Sequence, residues 1–297
     1  MPDMSNSKPY DLAVAYRIYP GVSRARPPIY ADDKLKLARM CLRSFKLGLG
    51  SLKVKVWAVL DTCPPEYEKL FTELFAPEDL VLVRLTKAGN CGTFAKQIEI
   101  LTNQDEAQLV YFGEDDYVYL PGAFHKMVDF LRHHSDADFC SPYDHPDFYH
   151  HDFHLHKQRI KVEQGQVWKT QNGTVCSFMT RKATLVETTP TLMSYVRRNT
   201  DAGMWLSLTK YHIASPWSLL SQPFVSKFRT YSLACGWLFN WRQILFGRRY
   251  SLWIPVPSLG THMVAGLLAE TGDWEKEFDR CNPDKAFIPT VATTVSR

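Results

Sequence analysis

Apolar residues along the first half of the chain repeat with two alternating periods. Residues 11–18 place every second side chain, from Leu12 to Ile18, on one apolar face, whereas residues 32–47 repeat apolar side chains at helical spacing. The same alternation predicts strands at residues 53–60, 79–85 and 108–112, and helices at residues 66–75, from Thr93 and from Pro121. Strands that alternate with helices indicate an α/β fold, with a mostly parallel central sheet flanked by helices.

The second half of the chain is less regular. Residues 142–157 are rich in His, Asp and Tyr and predict a long loop. Residues 174–180 predict a strand, and residues 183–197 and 201–210 predict helices. Residues 217–254 are unusually aromatic and contain four arginines. We therefore expect an irregular C-terminal portion beside the regular first half.

Composition and charge exclude several classes of protein. The 297 residues are 45% hydrophobic and 22% charged, which is typical of a soluble globular protein. A net charge of +4, with scattered Lys and Arg, predicts no nucleic-acid partner. Seven cysteines without paired spacing indicate reduced thiols, and the N-terminus lacks the apolar core of a signal peptide. These features predict a cytoplasmic protein.

Three adjacent acids, Glu114, Asp115 and Asp116, follow the strand predicted at residues 108–112, and Asp61 follows another strand. Ligands of parallel sheets gather beyond the carboxyl ends of the strands. Mg²⁺ and Mn²⁺ prefer oxygen ligands, and a cation would relieve the repulsion among three acids. An extended chain would project Glu114 and Asp116 together and turn Asp115 elsewhere. An isolated triplet is more often a solvated turn, but its position at a strand end favours a metal site.

Two later residues have both a structural and a chemical interpretation. His262 is either a structural histidine or a neutral ligand that completes a metal shell begun by Asp116. Asp201 either stabilises the start of a helix or accepts a proton from a hydroxyl as a general base. The histidines of residues 142–157 match no closed zinc site, so they are better suited to lining a polar cleft. The aromatic segment 217–254 either packs internally or contacts a membrane surface or a lipid.

Glu114-Asp115-Asp116, followed by YVYLPGAF and preceded by GNCGTFAKQI, resembles the GT-A-fold glycosyltransferases, particularly bacterial enzymes akin to glycosyltransferase family 2. The resemblance covers about residues 10 to 265 and implies a Rossmann-like sheet that carries an Asp-x-Asp (DXD) motif. Glu114 departs from that motif but keeps a carboxylate. The resemblance therefore implies Mn²⁺ or Mg²⁺ on Asp116, with Glu114 as a second contact and Asp115 facing the sugar or ribose.

The resemblance also implies roles for residues outside the triplet. Asp201 matches the base of inverting members, although Thr200 stands where those members commonly have Glu. His262 matches a metal-binding histidine, and Trp168 with residues 174–180 would form the acceptor side. The remaining contacts implied for the nucleotide sugar are Tyr16, Arg17, Asp61, Asn90, Thr93, Lys96 and Gln97.

The resemblance predicts one GT-A-like catalytic domain over residues 1–265 and a C-terminal extension over residues 266–297. Within the domain, residues 10–135 would bind the nucleotide sugar, and residues 136–265 would bind the acceptor. The implied reaction is metal-dependent transfer, with inversion, from a nucleoside-diphosphate sugar to a hydroxyl of a glycan or lipid-linked acceptor. Polysaccharide biosynthesis is the implied setting, and residues 217–254 would allow peripheral contact with the inner face of the membrane.

Two other functions remain open at the level of the sequence. A nucleotidyltransferase that forms sugar nucleotides also uses an α/β sheet and a divalent metal. Against it, Tyr19-Pro20-Gly21-Val22 follows the first strand, where such an enzyme would have a glycine-rich phosphate loop. A non-catalytic protein that binds glycans or lipids through the aromatic and histidine-rich half is the second alternative.

Overall fold

The computed structural model describes residues 9–21, 25–213 and 226–287. Residues 217–225 of the aromatic segment and residues 288–297 of the predicted extension lie outside these ranges. Within them, no helix has the length and apolarity that a bilayer crossing requires.

The first half of the chain forms alternating strands and helices, as the periodicity predicts. The strands are β1 (Leu12–Ile18), β2 (Val54–Asp61), β3 (Leu80–Leu85) and β4 (Leu109–Glu114). The helices are α1 (Lys34–Leu49), α2 (Pro65–Thr72), α3 (Gly89–Asn103) and α4 (Ala123–His133). The four strands pair in parallel in the order β3-β2-β1-β4. The predicted α/β class is therefore confirmed.

The second half extends the same sheet and makes it mixed. Its strands are β5 (Tyr117–Tyr119), β6 (Phe139–Cys140), β7 (Ile160–Glu163), β8 (Gln166–Gln171), β9 (Phe178–Arg181), β10 (Leu252–Val256) and β11 (Gly260–His262). Its helices are α5 (Asp147–His150), α6 (Lys182–Val196), α7 (Asp201–Thr209), α8 (Lys227–Phe246) and α9 (Trp274–Arg280). The described sheet runs β3-β2-β1-β4-β9-β6-β10-β8-β7, and β9 is antiparallel to both of its neighbours.

Several boundaries differ from the sequence prediction for identifiable reasons. The helix expected from Thr93 begins at Gly89, because the Asp61 carboxylate accepts hydrogen bonds from the Ala88 and Gly89 amides. The strand predicted at residues 174–180 is confined to β9. The β7–β8 hairpin was not predicted, although its turn has positive φ at both Gln164 and Gly165, as a type I′ turn requires.

Each face of the sheet carries its own apolar core. On one face, the larger side chains of β1 pack with α1, α2 and α4. On the other face, Ala13 and Ala15 pack with α3, and that core continues to α6 and α7. Trp274 and Cys281, which fall within the predicted C-terminal extension, are buried in the first core. This part of the chain therefore packs into the body of the protein.

A separate two-stranded sheet brings distant parts of the chain together at the end of β4. Strands β5 and β11 are antiparallel, with His262 opposite Tyr117. The two rings stack with their centroids 4.8 Å apart and an interplanar angle of 8°. This register places His262 beside the residue that precedes Tyr117, which is Asp116.

Candidate functional site

The carboxyl ends of β1, β2 and β4 open into a cavity of about 510 Å³. This volume is in the range typical of small-molecule sites. Nine of the residues singled out from the sequence line the cavity: Arg17, Asp61, Asn90, Thr93, Glu114, Asp115, Asp116, Asp201 and His262. The fold therefore gathers at one place residues that are spread over most of the chain.

Tyr16, Lys96 and Gln97 lie outside the cavity wall. Tyr16 is fully buried on the opposite face of β1 from Arg17, and its ring packs against two phenylalanines. Lys96 forms an ion pair with Glu99 on the surface of α3. The Gln97 side-chain amide donates to carbonyl oxygens of β1 and β4, at 2.7 and 2.9 Å. Each of these three side chains therefore contacts other protein groups and does not line the cavity.

All three acids of the triplet face the cavity. Strand β4 ends at Glu114 and the next two residues form a turn, so the alternation expected for Asp115 is wrong. Each carboxylate meets a different basic side chain. Glu114 pairs with Arg17, the Lys34 ammonium lies 2.9 Å from Asp115, and the His262 imidazole lies 3.1 Å from Asp116.

Lys34 was not singled out from the sequence. It occupies the first position of α1, and its side chain is buried at the cavity wall. Burial alone would lower its pKa, but the charge of Asp115 outweighs that effect and raises the pKa. The ammonium therefore stays charged in the site. A lysine at the start of an amphipathic helix is ordinarily solvated, so its sequence position carried no signal of this role.

Both oxygens of Glu114 have protein partners. One pairs with the Arg17 guanidinium, and the other accepts a hydrogen bond from the Ser177 hydroxyl at 2.8 Å. Arg17 also donates to the Asn90 carbonyl oxygen at 3.0 Å and to the Thr93 hydroxyl at 3.4 Å. Glu114 thus orients Arg17 at the cavity wall, and its predicted role as a metal ligand stays a prediction.

Asp116 is the acid whose partners are incomplete. One oxygen contacts the His262 imidazole, and the other is buried without a hydrogen-bond partner. Burial would raise the pKa of Asp116, but the charge and hydrogen bond of His262 lower it to about 2. The same contact raises the pKa of His262 against the opposing effect of its burial. A buried oxygen without a partner is costly unless a donor or cation reaches it.

These residues fit a divalent cation only if another molecule supplies further ligands. Among the described residues, no group of three or more His, Cys, Asp or Glu side chains is placed to hold a metal by itself. Asp116 and His262 offer one carboxylate and one imidazole. Mg²⁺ and related ions commonly combine one or two carboxylates with substrate phosphates. The donor set therefore fits a cation shared with a phosphorylated ligand.

The charge of the cavity also indicates that a cation would accompany an anionic ligand. Five lining residues are carboxylates, and the basic lining residues among the described ones are Arg17, Lys34 and His262. An anionic ligand entering alone would meet more negative than positive charge. A cation that entered with it would reverse that balance.

Asp201 and Tyr195 also line the cavity and belong to two different helices, α7 and α6. Thr200 caps α7 by accepting a hydrogen bond from the Gly203 amide at 2.8 Å, which fixes Asp201 in the first turn. Burial raises the pKa of Asp201, against a stabilising hydrogen bond from the Ala202 amide. The Tyr195 hydroxyl accepts from the Asn90 side chain at 2.8 Å. A carboxylate of raised pKa at a cavity wall is suited to accept a proton.

The remaining acceptor-side expectations are only partly met. Trp168 is fully buried, with its ring centroid 4.2 Å from that of Phe130, and it does not line this cavity, so its place on the acceptor side stays a prediction. Val175 and Cys176, just before β9, do line the cavity. In the histidine-rich segment, His151 and His154 border a different cavity, of about 370 Å³. All seven cysteines are free thiols in the structure.

Comparisons with known proteins give only a loose structural likeness. No protein-family model and no curated protein matches the sequence. A crystal structure of the galactosyltransferase LgtC, in complex with donor and acceptor sugar analogues, matches with 8% sequence identity and a TM-score of 0.35. The match covers 77% of this chain and 70% of that one. A likeness this loose does not assign a function.

Proposed function

We propose that this chain is a divalent-metal-dependent glycosyltransferase that moves a sugar from a nucleoside-diphosphate sugar to a hydroxyl group. The observation that carries the proposal is the buried, unpartnered oxygen of Asp116 beside His262, in a cavity lined by five carboxylates. A diphosphate would be repelled from such a cavity unless a cation accompanied it. A cation would in turn need the phosphate oxygens to complete its ligand set.

The proposal gives the described residues separate tasks. Asp116 and His262 would hold the metal, whose charge stabilises the diphosphate that leaves the sugar. Arg17 and Lys34 would contact phosphate oxygens once their present acidic partners share them with the ligand. Asp61, Asn90 and Thr93 line the end of the cavity near α3, where we place the nucleoside.

Asp201 is proposed as the general base. Its raised pKa gives the carboxylate more affinity for the proton of an acceptor hydroxyl than an exposed aspartate has. The acceptor oxygen would form a bond to the anomeric carbon as the bond from that carbon to the diphosphate breaks. Attack from the face opposite the leaving group predicts inversion of configuration.

The direct test is thermal stabilisation by UDP-, GDP-, CDP- and dTDP-sugars, each with and without Mn²⁺. One nucleotide should raise the melting temperature by several degrees when Mn²⁺ is present, because a ligand at 100 times its Kd stabilises by about 2.7 kcal/mol. Mn²⁺ alone should give little shift, since the described residues supply too few ligands. Asp116→Asn should remove the metal-dependent part of the shift, whereas the exposed Glu66→Gln should keep it.

Two results would overturn the proposal. The first is a normal Mn²⁺-dependent shift and normal turnover in Asp116→Asn. The second is release of pyrophosphate from a nucleoside triphosphate and a sugar phosphate, which would identify a nucleotidyltransferase. Hydrolysis or transfer from the stabilising nucleotide sugar, with release of the nucleoside diphosphate, supports the proposed class.

A further inference from the structure

Exposed apolar side chains are concentrated on helix α8. Thirteen large hydrophobic side chains are exposed among the described residues, and six of them belong to this one helix. Those six are Phe228, Tyr231, Leu238, Trp241, Leu245 and Phe246. Clusters of this kind on a folded protein mark a surface that another molecule covers.

A kink at Asn240 divides α8 into two parts. Tyr231 and Leu238 are seven residues apart before the kink, and Trp241 and Leu245 are four residues apart after it, so each pair lies on one side of its own part. All four side chains are exposed. The inner side packs on α6 and α7 through Gly236 and a buried asparagine, and Leu233 and Ile244 are also buried. The exposed side carries the six apolar side chains named above, and we call this outward side the α8 surface.

The α8 surface is also basic. Helix α8 contains no Asp or Glu, and Lys227 and Arg242 lie on its exposed side. The Arg242 guanidinium lies 5.3 Å from the centre of the Trp241 ring. Such a combination of aromatic, aliphatic and cationic side chains is typical of helices that lie in a membrane interface.

A basic cavity adjoins the C-terminal end of α8. The chain passes from Phe246 through Gly247 to Arg248 and Arg249, which border a cavity of about 1170 Å³. Lys157, Arg159 and Lys210 also line it, and its described carboxylates are Asp136 and Asp138. The end of the apolar surface is therefore continuous with a region that favours anions.

We propose that the α8 surface docks on a lipid bilayer that carries anionic headgroups. The exposed leucines and aromatic rings would enter the headgroup boundary, while Lys227, Arg242 and the basic cavity would attract the headgroups. A second copy of the chain fits less well, because a symmetric dimer would place the same basic surface against itself. Docking does not depend on the proposed sugar transfer.

The position of α8 beside α7 relates membrane docking to the kind of acceptor that the site would use. Helix α7, which begins at the proposed base Asp201, packs directly against the inner side of α8. A membrane held against α8 would lie one helix layer from the helix that carries the base. Together with the proposed function, on which this step rests, docking favours a lipid-linked acceptor over a free glycan.

Vesicle co-sedimentation tests the docking without nucleotide, metal or acceptor. The whole protein should bind vesicles in which about a third of the lipid is phosphatidylglycerol, and it should bind pure phosphatidylcholine far less. The double variant Leu245→Glu, Phe246→Glu should weaken binding at least about tenfold, because it replaces two apolar anchors by charges. Salt at about 0.5 M should also weaken binding, since it screens the headgroup charge.

Ile160→Glu, Val162→Glu is the matched control, because both side chains are exposed apolar residues of another element. This variant should bind like the unchanged protein. Equal binding of both double variants, or no preference for anionic vesicles, would overturn the proposal. A lipid-free dimer that the α8 variant dissociates would identify a second copy as the occupant. Because no sugar donor is present, these results do not depend on the nucleotide tests above.

Discussion

Three neighbouring carboxylates can coexist at the end of β4 because each is compensated by a basic group from a different element. Arg17 comes from β1, Lys34 from α1 and His262 from β11. Ion pairs that are removed from water keep their members charged only where the geometry is good. The wall of the site therefore carries two cations, Arg17 and Lys34, and one histidine. Each of these three basic groups is paired with an acid of the triplet.

Asp201→Asn should lower the transfer rate and raise the stability of the protein near pH 7. Loss of a positioned base should lower the transfer rate by about 100-fold or more while nucleotide binding persists. The folded-state pKa of Asp201 is raised, so the folded protein binds this proton more tightly than the unfolded chain. Stability from this group is therefore lost as pH rises through the folded pKa, and the asparagine variant should be the more stable protein near pH 7.

Denaturation of both proteins at about pH 7 and about pH 4 checks the sign of this effect, because the advantage of the asparagine should shrink as Asp201 becomes protonated. The exposed Glu66→Gln is a suitable control and should leave the transfer rate unchanged. Unchanged transfer by Asp201→Asn would place the base elsewhere. A variant that is less stable than the parent near pH 7 would show that the carboxylate stabilises the helix start instead.

The sequence points to the acidic residues of the site more readily than to the basic ones. Asp61 and the triplet stand out because they directly follow apolar strands. Lys34 does not, because a lysine at a helix start is usually solvated and nothing local shows that Asp115 will lie 2.9 Å away. Tyr16 could have been excluded from the sequence, since it shares the apolar face of β1 with Leu12 and Ile18, whereas Arg17 alternates to the other face.

Two glycines, Gly203 and Gly236, lie at the contact between α7 and α8. A Cβ atom at Gly203 would lie 2.6 Å from the backbone carbonyl oxygen of Ser232, so the helices would have to move apart. At Gly236 the nearest atom, at 2.7 Å, is the end of the Ile213 side chain, which can rotate away. Glycine lets the two backbones approach at Gly203 in a way that alanine cannot.

Gly203→Ala should therefore destabilise the protein by about 1–3 kcal/mol, although alanine in an exposed helix interior would gain up to about 1 kcal/mol. Gly236→Ala should stay within about 1 kcal/mol of the parent, since helix propensity offsets the side-chain adjustment. Urea unfolding of both variants measures the difference. If Gly203→Ala proved as stable as Gly236→Ala, the close helix crossing would be wrong.

Longer elements could be predicted and short ones could not. Strands β1, β2 and β4 and helices α1 and α4 carry enough repeats for the pattern to identify them. Strands β5, β6 and β11 contain two or three residues each, so their existence depends on their partners rather than on propensity. The position of His262 against Asp116 depends on β5 and β11, which is why the sequence could suggest the pair but not establish it.

For the molecule as a whole, the alternating strand and helix periods of the sequence predict the parallel half of the sheet. They do not predict the order of β9, β6 and β10. Each of those strands pairs with a segment distant in the chain, and a single sequence carries no record of that pairing. The same limit applies to the C-terminal end. The boundary at residue 265 was implied by the extent of the resemblance, and no pattern in the sequence predicted that Trp274 would be buried in the first core.

Trp274→Ala tests whether this segment is part of the folding unit. The indole is 5% exposed and donates a hydrogen bond to the Ala269 carbonyl oxygen at 2.8 Å. Its loss should cost about 3–5 kcal/mol and lower the melting temperature by on the order of 10 °C.

Trp241→Ala, measured without lipid, provides the comparison, because that side chain is 44% exposed and should contribute less than about 1 kcal/mol to stability. A loss of stability confined to Trp274→Ala would mean that the chain after residue 265 belongs to the core that supports α1 and the β5–β11 pair. Similar small effects of both substitutions would instead make that segment a dispensable addition, and the position of His262 would then depend on the first 265 residues alone.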